Sequence, residues 1–161
     1  MIGHVEVTCL DEQGEFVWKE SYKNDITTAG LTLLLNVMFN SGSQSASWYI
    51  GLISNTSFTA VSSSDTMASH SGWQELTTYS ESTRPQWDDL SGENALIGNA
   101  TPVEFTITTA SVIKGIFLVN NNTKGGTTGT LWNTGVFPVV RSVAIGQKLQ
   151  VNYKLSAVGS S

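Results

Sequence analysis

The sequence predicts an all-β fold, an antiparallel two-sheet sandwich of jelly-roll type with one helix near residues 27–39. Three observations carry this. Short segments alternate apolar and polar residues with period two, as strands with one wet face do. Turn-forming Gly, Asn, Asp and Ser clusters separate about eight such segments, the spacing of a sandwich or jelly roll. Only Ile26 to Phe39 has the periodicity of a helix.

The chain reads as one domain, 1–161, beginning with a hairpin over 2–22. Val5, Val7 and Cys9 alternate with His4, Glu6 and Thr8, and Phe16 and Trp18 alternate with Val17 and Lys19. Asp11-Glu12-Gln13-Gly14 between them is turn chemistry, with Gly14 free to take positive φ. In the helix, Thr27 or Thr28 is placed to N-cap, and Leu31, Leu34, Leu35 and Met38 share one face. Leu33, Val37 and Phe39 widen that face, so the helix is expected to be covered by a larger body, plugging one end of the sandwich. It falls short of the ~20 apolar residues that cross a membrane.

Trp48-Tyr49-Ile50-Gly51-Leu52-Ile53 reads as a buried strand, with Gly51 where another backbone or ring comes close. Residues 54–94 form a long loop excursion, a length uncommon inside a domain and often functional. Asp65 is placed to N-cap one helical turn there, and Trp73, Tyr79 and Trp87 to anchor the excursion. Arg84, beside Trp87, is placed to stack on an aromatic face and bond loop carbonyls. Val103 to Thr108 alternates, Val112 to Val119 reads as a central strand, and Asn120 to Gly126 as a loop. Thr130 to Val140 is a further strand region with Pro138 at an edge or bulge, and Lys148 to Ala157 alternates again.

Charged residues make up 13% of the chain, about half the usual ~25%. The net charge is −5, and six scattered lysines and two arginines form no basic face, so no nucleic-acid partner is expected. Cys9 is the only cysteine, which precludes an internal disulfide, and at an apolar position it reads as core. His4 and His70 are the only histidines, too few for a zinc site without carboxylates. The N-terminus has no basic start followed by an apolar run, so the expectation is synthesis in a cytoplasm without a secretory leader and no membrane partner.

No constellation carries chemistry. Asp88, Asp89 and Glu93 lack the offsets of an EF-hand calcium loop and read as a solvated turn. Glu75 and Glu104 are imaginable as a glycosidase pair, but sequence sets no separation between them. No G-x-S-x-G elbow accompanies the Ser, His and Asp near 64–70. The expectation is a non-enzyme with no cofactor and no metal. The tryptophans at 18, 48, 73, 87 and 132 are read first as core and loop anchors, with a carbohydrate platform as the alternative.

Four strings resemble small virion proteins of tailed bacteriophages: Asn24 to Leu35, with its T-x-A-G-L entry; Asp65 to Glu75; Arg84-Pro85-Gln86-Trp87; and Lys114 to Leu118 continuing through Lys124 to Leu131. The resemblance spans roughly two thirds of the chain and defines no chemistry. It implies a head decoration, or cement, protein: a jelly roll on the capsid exterior, bound to the major capsid protein and homo-oligomeric. The excursion and the hairpin are the parts expected to meet the shell or a sister copy. Trp73, Arg84, Trp87, Asp65, His70 and Trp18 are the residues picked there, on exposure and loop length and not on a motif. The alternative is a tail-fibre or baseplate receptor- or carbohydrate-binding module.

Overall fold

The computed structural model describes residues 1–90 and 92–157. Strands β1 (Ile2–Leu10) and β2 (Phe16–Ile26) form the hairpin, and Gly14 turns it with φ 85°. The Asp11 carboxylate accepts the backbone N–H of Gln13 at 2.9 Å and of Glu15 at 2.8 Å, which fixes the turn locally. Val5, Val7 and Cys9 are buried, as their alternation predicts. Phe16 is 65% exposed, because the hairpin tip extends past the core. β2 continues beyond residue 22 because it still pairs with β1 through Asn24 and its last residues, Asp25 and Ile26, then pair with β9 (Leu131–Val143).

Helix α1 (Thr28–Phe39) follows directly. Thr27 caps it, its hydroxyl accepting the Gly30 N–H at 3.0 Å and donating to the Leu131 carbonyl at 2.6 Å. Gly30 is the docking point: a Cβ there would lie 2.6 Å from the Trp132 carbonyl oxygen. Asn40 and Gly42 both donate to the Asn36 carbonyl, at 3.0 and 2.9 Å, and close the last turn.

Among the described residues, ten strands and one helix make the fold all-β in class, every ladder antiparallel. The remaining strands are β3 (Trp48–Ser54), β4 (Gln74–Leu76), β5 (Gln86–Trp87), β6 (Leu96–Gly98), β7 (Val103–Thr106), β8 (Ser111–Val119) and β10 (Lys148–Ser156). They join in the order β4-β3-β8-β9-β2-β1-β10-β6, with β5 on β3 and β7 on β10. The strands beyond the expected eight include β4 and β5, pieces of three and two residues inside the excursion.

The sheet curls through β2 into a half-barrel. Ile50 and Leu52 of β3 and Ile116 and Leu118 of β8 thereby share one apolar cluster with Val7 of β1 and Val151 of β10. Trp87 ties the two halves directly, its indole N–H donating to the Tyr153 carbonyl at 3.2 Å. A second cluster lies on the other face of β3, β8 and β9, where Met67 and Trp73 cover Ile53, Phe117, Val119 and Leu131. Both faces of β3 and β8 are therefore buried, which is why their sequences run apolar without alternation. Gly51 is obligatory there, since a Cβ would fall 2.2 Å from the Phe117 ring. Pro138 sits where the β8–β9 register jumps from Gly115–Val136 to Ile113–Arg141, the bulge its chemistry requires.

Candidate partner interface

Three of the six picked residues meet in one knot. The Trp73 indole N–H donates to the Asp65 carboxylate at 2.9 Å, and that carboxylate also accepts the Ser62 backbone N–H at 2.8 Å. His70 stacks on Trp73 with centroids 3.9 Å apart, its Nδ1 3.1 Å from the Trp73 carbonyl oxygen. Asp65 caps no helical turn: the segment folds into turns and a Thr66–Ser69 bridge, because its carboxylate is taken by Trp73. The knot seats Met67 and Trp73, 1% and 2% exposed, on the sheet.

Arg84 is fully buried. Its guanidinium forks onto Glu75 at 2.9 and 2.7 Å and donates to the carbonyls of Asn121 at 3.0 Å and Gly126 at 2.8 Å. Glu75 also accepts the Gly125 N–H at 2.8 Å. The aromatic face under the guanidinium is that of Phe117, 5.2 Å away, not Trp87. This clamp binds the excursion to the 120–126 loop with the bidentate, desolvated geometry that favours arginine. Trp87 and Trp18 are also buried, Trp18 against Phe137 with centroids 6.0 Å apart and Arg141 above it. Four of the six picked side chains thus serve the chain's own interior, and Asp65 and His70 keep partial exposure.

Glu104, Cys9 and the buried tyrosines form no further cluster of reactive groups. Glu104 accepts from Lys148 at 2.9 Å and Gln150 at 3.3 Å, and the Lys148 hydrogen bond holds its carboxyl below the usual range. Burial pushes the Cys9 thiol up to about 11, with the nearby Asp11 charge adding to the effect, so little nucleophilic thiolate forms near neutral pH. Burial also raises the Tyr79 and Tyr153 phenols, both of them in the interior. Among the described residues, no three His, Cys, Asp or Glu side chains converge.

Among the described residues, exposed apolar side chains also gather along α1. The expectation of a helix covered by a larger body fails here: Gly30 is its only buried residue. Leu31 is 43% exposed, Leu35 57%, Met38 63% and Phe39 81%. The helix docks most closely at Gly30 and again through half-buried Leu34, leaving its outer side uncovered. Leu33, Leu34, Val37 and Met38 border an apolar cleft of about 300 Å³, walled opposite by Trp48, Trp87 and Trp132. Trp48 and Trp132 meet edge to face with centroids 5.6 Å apart.

Sequence reading assigned Leu31, Leu35, Met38 and Phe39 to a core, since apolar periodicity does not say which chain supplies the cover. A second signal was present: no side chain from Ile26 to Ser64 is charged. A helix whose apolar residues spread beyond one face has more apolar surface than one sheet edge can cover. Compared with known protein families and curated proteins, the chain matches no family model and no curated protein.

Proposed function

We infer that this chain is a tailed-phage virion structural protein, a capsid decoration or cement protein that binds the outer shell and stabilises capsomer junctions. The observation that carries the reading is the uncovered apolar face of α1 on a fold whose other core groups are closed over. Such a face costs solubility unless another subunit covers it in the working state. The string resemblance to small phage virion proteins supplies the setting. In this reading the protein is no enzyme and holds no cofactor. Its partners are the major capsid protein and copies of itself, with no nucleic acid or membrane involved, and its place is the capsid exterior. The two halves of the curled sheet then act as the two layers of a jelly roll. Each contact contributes modestly, and many copies sum to a stabilised shell.

The test is to mix purified protein with capsids lacking it. Saturable co-sedimentation and a higher capsid melting temperature are expected. Absence of capsid binding, together with binding to host cells or their glycans, would overturn the reading in favour of a tail receptor-binding module. One observation favours that second reading: Trp48, Trp87 and Trp132 gather at the α1 cleft, and aromatic rings stack on sugars. Quenching of tryptophan fluorescence by host glycans, lost in Trp48→Ala, is the outcome it requires.

A further inference from the structure

The exposed residues of α1 form a pattern with a centre. Leu31, Leu35 and Met38 are spaced four and three apart, the seam along which two helices pack knobs into holes, and Phe39 widens it. Leu31 and Phe39 lie equally far from Leu35, one turn on either side. Laid antiparallel on itself about Leu35, the stripe sets Leu31 of one copy against Phe39 of the other. That is the self-complementarity a two-fold interface requires.

Charge narrows the choice of occupant. The chain carries −5, so two copies repel over most of their surface. Between Asp25 and Asp65 there is no charged side chain, so the stripe itself brings no like charges together; the nearby Asp89 lies on the cleft side of the helix with Leu33 and Val37. A membrane-surface helix would carry Lys or Arg on its polar face, and α1 has neither. A charged protein partner finds no ion to pair with along the stripe, and a glycan finds no donor on Leu31, Leu35, Met38 or Phe39. The area fits too. With these four side chains between 43% and 81% exposed, two copies would bury on the order of 1,000 Å², the lower bound for a specific interface.

We propose that the Leu31–Leu35–Met38–Phe39 stripe of α1 is a self-association surface that pairs two copies of this chain antiparallel about Leu35. The proposal shares with the function inferred above only the premise that copies associate; it needs no capsid. The interface is small, so the dimer is reversible and forms with rising concentration.

Sedimentation velocity on the full chain, from low micromolar to several hundred micromolar, tests it. The wild type should double in mass across that range. Leu35→Glu and Leu35→Lys should each weaken association by at least ~tenfold, because like charges would meet at the two-fold axis. An equimolar mixture of the two should restore the dimer, which requires Leu35 to face Leu35. Phe39→Ser, at the most exposed apolar position, should weaken association with an unchanged unfolding midpoint. A wild type that stays monomeric throughout overturns the proposal, as do Leu35 variants that associate like the wild type. Capsid co-sedimentation of wild type and Leu35→Glu separates the two readings. Capsid binding by a monomeric wild type sinks self-association alone, and a dimer that binds no capsid sinks the cement role alone.

Discussion

The excursion around Arg84 and helix α1 both carry large side chains that sequence reading places under cover, and the fold treats them in opposite ways. Around Arg84 the large side chains find partners within the chain: guanidinium with carboxylate and carbonyls, Trp73 with Asp65, Met67 with the sheet. On α1, Leu35, Met38 and Phe39 find none. The difference lies in tethering. The excursion is held at many points along its length and is drawn flat onto β3 and β8. The helix is held at Thr27 and Gly30 and, further along, by Leu34 against the main cluster, while its outer side is held by nothing. Substitutions in the first region should therefore act on stability, and substitutions in the second on association.

The largest effect is expected at the clamp. Arg84→Met leaves the Glu75 carboxylate, 7% exposed, without its cation, and should cost ~3–5 kcal/mol in urea unfolding. Adding Glu75→Leu should recover much of that loss, since the orphaned charge is then gone. A double variant as unstable as the single would show that the loop carbonyls, not the carboxylate, dominate.

Gly51→Ala comes next. Its new methyl collides with the Phe117 ring, and overpacking of this kind costs ~1–3 kcal/mol. A thermal midpoint unchanged from the wild type would mean the ring moves aside freely and the second cluster is loosely packed.

The alkaline limb of stability is expected to be smaller. Burial raises the Cys9 thiol from 9.0 to about 11, so folding favours its protonated form. That contribution is complete below pH 9 and is lost as pH rises towards about 11, because the unfolded chain releases the proton first. The buried phenols of Tyr22, Tyr79 and Tyr153, also shifted upward, add to the same fall from their ordinary value of 10.0. Unfolding midpoints measured from pH 8 to 11 should decline, and less steeply in Cys9→Val. Equal slopes would assign the decline to the tyrosines.

The smallest effect on stability belongs to α1. Leu35→Ala and Met38→Ala should stay within about 0.5 kcal/mol of wild type, as surface changes do, although Leu→Ala in a core costs 2–5 kcal/mol. A core-sized loss at Leu35 would mean that the helix lies down on the body in solution, and would erase the contrast between the two regions.

Sequence by itself determined the class and the punctuation of this fold. Period-two alternation placed Val5, Val7 and Cys9 inside, the Gly14 turn closed the hairpin, and Thr27 started the helix. These are local properties, settled by backbone geometry within a few residues. Gly51 was legible for the same reason: a glycine inside an apolar strand implies a close neighbour, though not that the neighbour is Phe117. That Trp73 and Trp87 anchor the excursion and that Arg84 bonds loop carbonyls was legible, but the partners were not, because Arg84 meets Glu75, Asn121 and Gly126 only after the excursion folds back on a loop far along the chain. Nor was the state of α1. Apolarity is a property of the side chain, whereas burial depends on what lies opposite it. Only the tertiary structure decided that Gly30 meets Trp132 while Leu35 and Phe39 face solvent.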